Sequence, residues 1–213
     1  MKRRDFSLQL AGASLGLALA GTARAQGGPV EGQQFQRLQT AVPVSLPAGK
    51  KIEVLEFFSY GCPHCFSFEP ALEVWTKQLP PDVLFRQVPV GFMAPVLQKT
   101  FFALEEMGQR EALHRKIFNA FHVQRTRLNT EAEVVAFVAA NGVDGAKFTE
   151  ALKSFSVNTK ISRTQQLMSG YKVDSVPMVG VHGRFTTSPS MAGTSERALA
   201  VTDLLIQRAR QGA

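Results

Sequence analysis

Residues 51–90 constrain the fold more than any other part of the chain. "KIEVLEFFSY" (51–60) is an almost unbroken run of apolar, β-branched and aromatic residues, the pattern of a strand buried on both faces. Residues 62 to about 79 read as a helix, and "DVLFRQVPV" (82–90) as a second strand. Strand, helix and strand in that order make a β-α-β unit, which implies a parallel pair joined by a right-handed crossover.

The remaining segments fall around that unit. Residues 26–49 are rich in Gly, Pro and Gln and read as an irregular lead-in with one short edge strand near 37–42. From residue 95 to about 170 only helical periodicity is found, in "QKTFFALEEM", "EALHRKIFNAFH", "TEAEVVAFVAAN" and "AKFTEALKSF". Thr130 and Glu133 form a capping box there, and Asn141-Gly142 a stop. "PMVGV" and "RFTTS" then flank His182-Gly183, a two-residue hairpin turn, and "ERALAVTDLLIQRAR" closes the chain as an amphipathic helix. The expected organisation is an α/β domain made discontinuously from 26–94 plus 171–213. An all-helical insertion, 95–170, is long enough to form a lid or wall over a site on the sheet.

The first 25 residues read as an export signal cleaved before Gln26. Lys2, Arg3 and Arg4 precede an uncharged stretch, and "ARA" at 23–25 is a small-residue cleavage site. A retained anchor is the alternative, because 6–23 carry no charge, but Ser7, Gln9, Ser14 and the glycines make the run weakly apolar. No cysteine follows the cleavage site, which excludes lipidation there. Arg3-Arg4-Asp5-Phe6-Ser7-Leu8 is similar to a twin-arginine motif, and a general secretory route stays open beside it. Both routes lead to an oxidising space, here read as the periplasm. The net charge of +7 falls to +4 once the +3 of the signal is removed, and the basic residues are scattered. A nucleic-acid surface is therefore not indicated.

Both cysteines of the chain lie within Cys62-Pro63-His64-Cys65, where the buried strand turns into a helix. A metal site would need further ligands at recognisable spacing, and His64, His114, His122 and His182 supply none. A structural staple three residues long would gain little, because the chain-entropy benefit grows with loop length. A redox centre fits the placement. Cys62, at the helix N-terminus, is expected to be the exposed, low-pKa nucleophile, with Pro63 in a first-turn position that costs no hydrogen bond. Cys65, one turn further in, is expected to be its buried partner with a higher pKa. His64 either supports the Cys62 thiolate or is a solvated surface residue. Pro70, inside the same helix, is expected to kink it.

Glu56 is an anomaly in an apolar strand, since burying a carboxylate is costly unless it is paired or neutralised. It is either a partly exposed strand-end residue or a proton acceptor and donor for Cys65; Lys99, Lys160 and Lys172 are candidate partners. Val176-Pro177 either starts the following strand trivially or forms a cis bond, and composition alone favours trans.

"VLEFFSYGCPHCFSFEP" together with "SVPMVGVHGRF" resembles the DsbA family, thioredoxin-fold thiol:disulfide oxidases of the bacterial periplasm, over nearly all of the chain after the signal. The resemblance implies a thioredoxin-like fold with an inserted helical subdomain and a redox-active disulfide, Cys62–Cys65, with no other cofactor. It further implies a proton-handling role for Glu56, a valine before a cis-proline at Val176-Pro177 contacting substrate, and reoxidation by a DsbB-like membrane quinone reductase. The expected substrates are reduced, unfolded exported proteins, and the expected state is a monomer. Two rival readings are a disulfide isomerase or reductase, for whose N-terminal dimerisation domain residues 26–49 are too short, and a non-catalytic peptide-binding chaperone.

Overall fold

β2 (Ile52–Phe58) is buried at all seven positions, Glu53 and Glu56 included. In the computed structural model, which describes residues 28–92 and 94–212, this strand is the axis of the sheet. The signal read in residues 1–25 lies outside the described residues. β2 pairs in parallel with β3 (Val83–Pro89) and antiparallel with β4 (Met178–Val181). β4 continues through an antiparallel hairpin to β5 (Phe185–Thr187), which pairs with the two-residue β1 (Gln36–Arg37). The sheet order is β1-β5-β4-β2-β3.

The crossover helix α1 (Pro63–Thr76) starts after its N-cap, Cys62, and stops three residues short of the position read from sequence. Pro70 lies inside it, on the exposed side. The apolar face of α1, with Phe68, Leu72 and Trp75, packs with Ile52 and Val54 against the last helix, α8 (Ser195–Arg210). Trp75 Nε1 donates to Asp203 Oδ1 at 2.9 Å and ties the two helices together. On the other sheet face Leu55 and Phe57 pack on Tyr171.

Five helices follow one another between β3 and β4: α2 (Pro95–Glu106), α3 (Arg110–His122), α4 (Glu131–Ala140), α5 (Gly145–Lys153) and α6 (Phe155–Tyr171). Local sequence sets their ends. Thr130 Oγ1 accepts from Glu133 N while Glu133 Oε2 accepts from Thr130 N, closing both halves of the capping box before α4. Asp144 and Ser154 cap α5 and α6 more simply, each side chain accepting from backbone N–H groups of the first turn. Their shared core, including Phe101, Phe118, Val138 and Phe148, is continuous with Phe58, Tyr60, Cys62 and Cys65. The cysteine pair thus lies at the seam between sheet and helices.

The hairpin turn has both central residues at positive φ, His182 at 49° and Gly183 at 66°, the combination whose twist matches paired strands. Gly183 is required for a second reason: a Cβ there would lie 2.0 Å from the Val42 carbonyl oxygen. The edge strand expected over 37–42 is shorter, because after Arg37 the chain leaves ladder geometry. It still donates from Leu38 and Val42 to the carbonyls of Arg184 and Gly183. A short helix absent from the sequence reading, α7 (Pro189–Ala192), is started by the Ser188 hydroxyl and Pro189.

Candidate functional site

The end of β2 delivers the chain into a tight turn. Cys62 N donates to the Ser59 carbonyl at 3.0 Å, and extended geometry at Cys62 (φ −90°, ψ 118°) lets α1 begin at Pro63. A helix start leaves backbone N–H groups without intrahelical acceptors. Those of His64 and Cys65 face the Cys62 sulfur. The Cys62 thiol is lowered to about 6, first by a hydrogen bond from the Cys65 side chain, then by those backbone groups and the charge of His64, against the opposing effect of burial. His64 and Pro63 are exposed.

One expectation is corrected here. Cys62 is only 5% exposed, not the open nucleophile read from the sequence. The loop before β4 folds over it, and Cys62 Sγ lies 3.4 Å from the Val176 carbonyl. The Val176-Pro177 bond is cis. Its carbonyl comes from a residue 114 positions away, which no local pattern announces.

Cys65 is completely buried, and its thiol is pushed far up by burial, by its hydrogen bond to Cys62 and by the charge of Glu56. Glu56 is itself without exposed surface. Its Oε2 accepts from Gln87 Nε2 at 2.9 Å, while Oε1 has no hydrogen-bond partner among the described residues. Burial, and then the charge of Glu69, raise its carboxyl well above the usual range, with the Gln87 bond opposing. The partly exposed strand-end reading of Glu56 is thereby ruled out. So is a lysine partner: Lys160 pairs with Glu105 and Glu106, Lys99 and Lys172 are exposed, and a neutral amide holds Glu56 instead.

Gln87 is the cross-strand neighbour of Glu56 in the parallel ladder. Its amide nitrogen also lies 3.4–3.5 Å from Glu69 and 3.3 Å from His114 Nε2. His114 Nε2 contacts Glu69 Oε1 at 2.9 Å, and its Nδ1 contacts the Tyr60 hydroxyl at 2.7 Å. None of these groups is given a role by the sequence, where His114 enters only as a candidate metal ligand. Glu69 alone left a trace, being four residues after Cys65 and so one turn along the same helix. Glu69, Gln87 and His114 line a cleft of about 670 Å³ between α1, β3 and the helices α2, α3 and α6. Among the described residues no three His, Cys, Asp or Glu side chains converge as a metal site, and no helix is long and apolar enough to cross a membrane.

Comparison with known proteins gives one consistent answer. Residues 94–199 match the pattern of the DSBA-like thioredoxin domain. The chain is 40% identical over 198 residues to the thiol:disulfide interchange protein DsbA of Burkholderia cepacia, covering 92% of each. It is 39% identical over 216 residues to that of Bordetella pertussis, covering 99% of this chain and 100% of the relative. Among solved structures, Pseudomonas aeruginosa DsbA superposes with a TM-score of 0.80 at 37% identity, over 85% of this chain and 94% of that one. The Xylella fastidiosa oxidoreductase DsbA superposes with a TM-score of 0.78 at 26% identity, over 86% and 98%.

Proposed function

The chain belongs to the DsbA family of thiol:disulfide interchange proteins, with its thioredoxin-like fold, and on that premise we propose that it oxidises reduced exported proteins in the periplasm by donating a Cys62–Cys65 disulfide. The observation that carries this reading is the asymmetry of the pair. Cys62 is lowered to about 6 at a helix start, whereas Cys65, three residues on, is buried and pushed up.

A substrate thiolate attacks Cys62 Sγ; the Cys62–Cys65 bond breaks, and Cys65 leaves with the electron pair. A buried thiolate with so high a proton affinity must be protonated, and Glu56, whose carboxyl burial pushes well above the usual range, is the acid beside it. The substrate's second thiolate then attacks its own sulfur in the mixed disulfide. Cys62 leaves as a thiolate, the good leaving group that a depressed pKa provides. The substrate is oxidised by two electrons and the cysteine pair reduced by two. In the return half-reaction, with a DsbB-like membrane quinone reductase, Cys65 must lose its proton, and Glu56 is the base.

The Cys62–Cys65 pair itself carries the electrons, so the reading requires no other redox group. Val176 and Pro177 lie beside Cys62 at the free start of β4, where an extended peptide can add alongside the backbone. The residues 26–94 and 171–213 act as the redox domain and 95–170 as a helical wall behind it, in a protein working as a monomer. Oxidation of a reduced, unfolded substrate by the disulfide form tests the reading. Stoichiometric substrate disulfide is expected, and none from Cys62→Ser; equal activity of that variant would refute it.

A further inference from the structure

The proposed reaction uses Glu56 protonated in one half and ionised in the other, yet Glu56 has no contact with solvent. The groups that adjoin it on the cleft side are ionisable and linked by hydrogen bonds. His114 and Glu69 are 12% and 13% exposed, at the inner end of the cleft. Tyr60, kept neutral by burial and by the charge of Glu69, is both donor and acceptor. Neutral His114 can accept from Tyr60 at Nδ1 and donate from Nε2 to Glu69; the imidazolium donates to both. His114 therefore keeps two partners in either charge state. Gln87, bonded to Glu56 and close to Glu69 and His114, holds the two carboxylates on either side of one amide.

We propose that His114 and Glu69 are positioning residues for Glu56, and that the charge on this pair decides whether the buried carboxyl keeps or releases its proton, and so governs proton exchange at Cys65. With His114 charged, the pair is neutral and Glu56 ionises more readily. With His114 neutral, the charge of Glu69 stands alone and holds the proton on Glu56. Other charged groups face the same cleft. Arg110, from α3, reaches Gln87 Oε1 at 3.4 Å and is a constant cation. Arg115 and Lys77 are engaged by Glu73, Arg86 by Glu53, and Lys160 by Glu105. Glu111 and Arg163 also line the cleft and are exposed.

This inference rests on the disulfide-exchange reading, and one experiment separates the two. Oxidised glutathione converts reduced protein to a Cys62–glutathione mixed disulfide. Cys65 then attacks Cys62 Sγ; the Cys62–glutathione bond breaks, the Cys62–Cys65 bond forms, glutathione leaves as its thiolate, and the proton of Cys65 passes to Glu56. The rate of this second step is measured from pH 4 to pH 9. In Glu69→Gln the inflection should fall by about one pH unit, and in His114→Gln it should rise by about one. Below the inflection that reads as about tenfold faster and about tenfold slower release. His114→Lys retains a cation and should stay at or below the wild-type inflection.

Shifts in the same direction for Glu69→Gln and His114→Gln, or none in either, overturn the proposal, since structural damage has no reason to act with opposite signs. Should the histidine variants not fold, Glu69→Gln decides alone: a downward shift supports it, and no shift or an upward one overturns it. A wild-type protein that never releases glutathione through Cys65 overturns the disulfide-exchange reading and this inference with it.

Discussion

The two ends of one helical turn treat a negative charge in opposite ways. At the start of α1, around Cys62, a hydrogen bond from the Cys65 side chain, then backbone N–H groups and the charge of the exposed His64, favour a thiolate. One turn inward, around Cys65 and Glu56, apolar packing penalises any charge, and the nearest partner is the neutral amide of Gln87. A hydrogen bond from Cys65 and the backbone N–H groups do most to stabilise the first; burial does most to destabilise the second. The same two cysteines thus differ in proton affinity through position rather than through residue type.

The sharpest test of that contrast is chemical labelling, where the difference should be nearly complete. In the reduced protein Cys62 should be alkylated with an inflection near pH 6, while Cys65 should resist until the protein unfolds. Comparable labelling of both thiols at pH 7 would erase the distinction.

The next effect is on stability. A thiol lowered from an ordinary value of about 8.5 to about 6 favours the folded, reduced form by up to about 3 kcal/mol. Because the folded value is depressed, this stabilisation is fully present above about pH 8.5, declines below it, and is lost as pH falls through about 6. The ring closed by the disulfide is too short to offset it by chain entropy. Denaturant unfolding of both redox forms at pH 5, 7 and 9 should show the reduced form gaining on the oxidised one as pH rises. A difference independent of pH would remove the thiolate as its cause.

At the inner end, Glu56→Leu should slow resolution of a Cys62 mixed disulfide by about 100-fold, since the proposed proton acceptor is gone. Folded stability should not fall, because an unsatisfied buried oxygen goes with it. A variant equally fast, or one destabilised by several kcal/mol, would break the inner half of the comparison. Thr130→Ala is a distant control: losing the cap of α4 should cost about 1 kcal/mol in thermal unfolding and leave the alkylation inflection of Cys62 unmoved. The smallest effect belongs to His64→Ala, because the imidazole charge is the last of the contributions at Cys62. An upward shift of about half a pH unit in Cys62 alkylation is expected, and a larger one would mean that the helix start matters less than the imidazole.

What the sequence determined by itself is whatever a local interaction enforces. An apolar run broken only by Glu53 and Glu56 reads as a strand covered on both faces, and β2 is an interior strand paired on both edges. Thr130 with Glu133, and His182 with Gly183, satisfy or shape backbone within a few residues of themselves, and the helix and turn are where those pairs imply. The position of Cys62 before Pro63 likewise needs only one turn of chain. Tertiary structure decided the rest, because it depends on contacts between residues far apart. That Cys62 is covered, by a carbonyl from residue 176, follows from the pairing of β4 with β2. That Glu56 meets Gln87 rather than a lysine follows from the register of β2 against β3. His114 reaches Glu69, 45 residues away, only because α3 docks over α1. Charge and proton affinity at the site are sums over such neighbours, and a linear pattern carries no record of them.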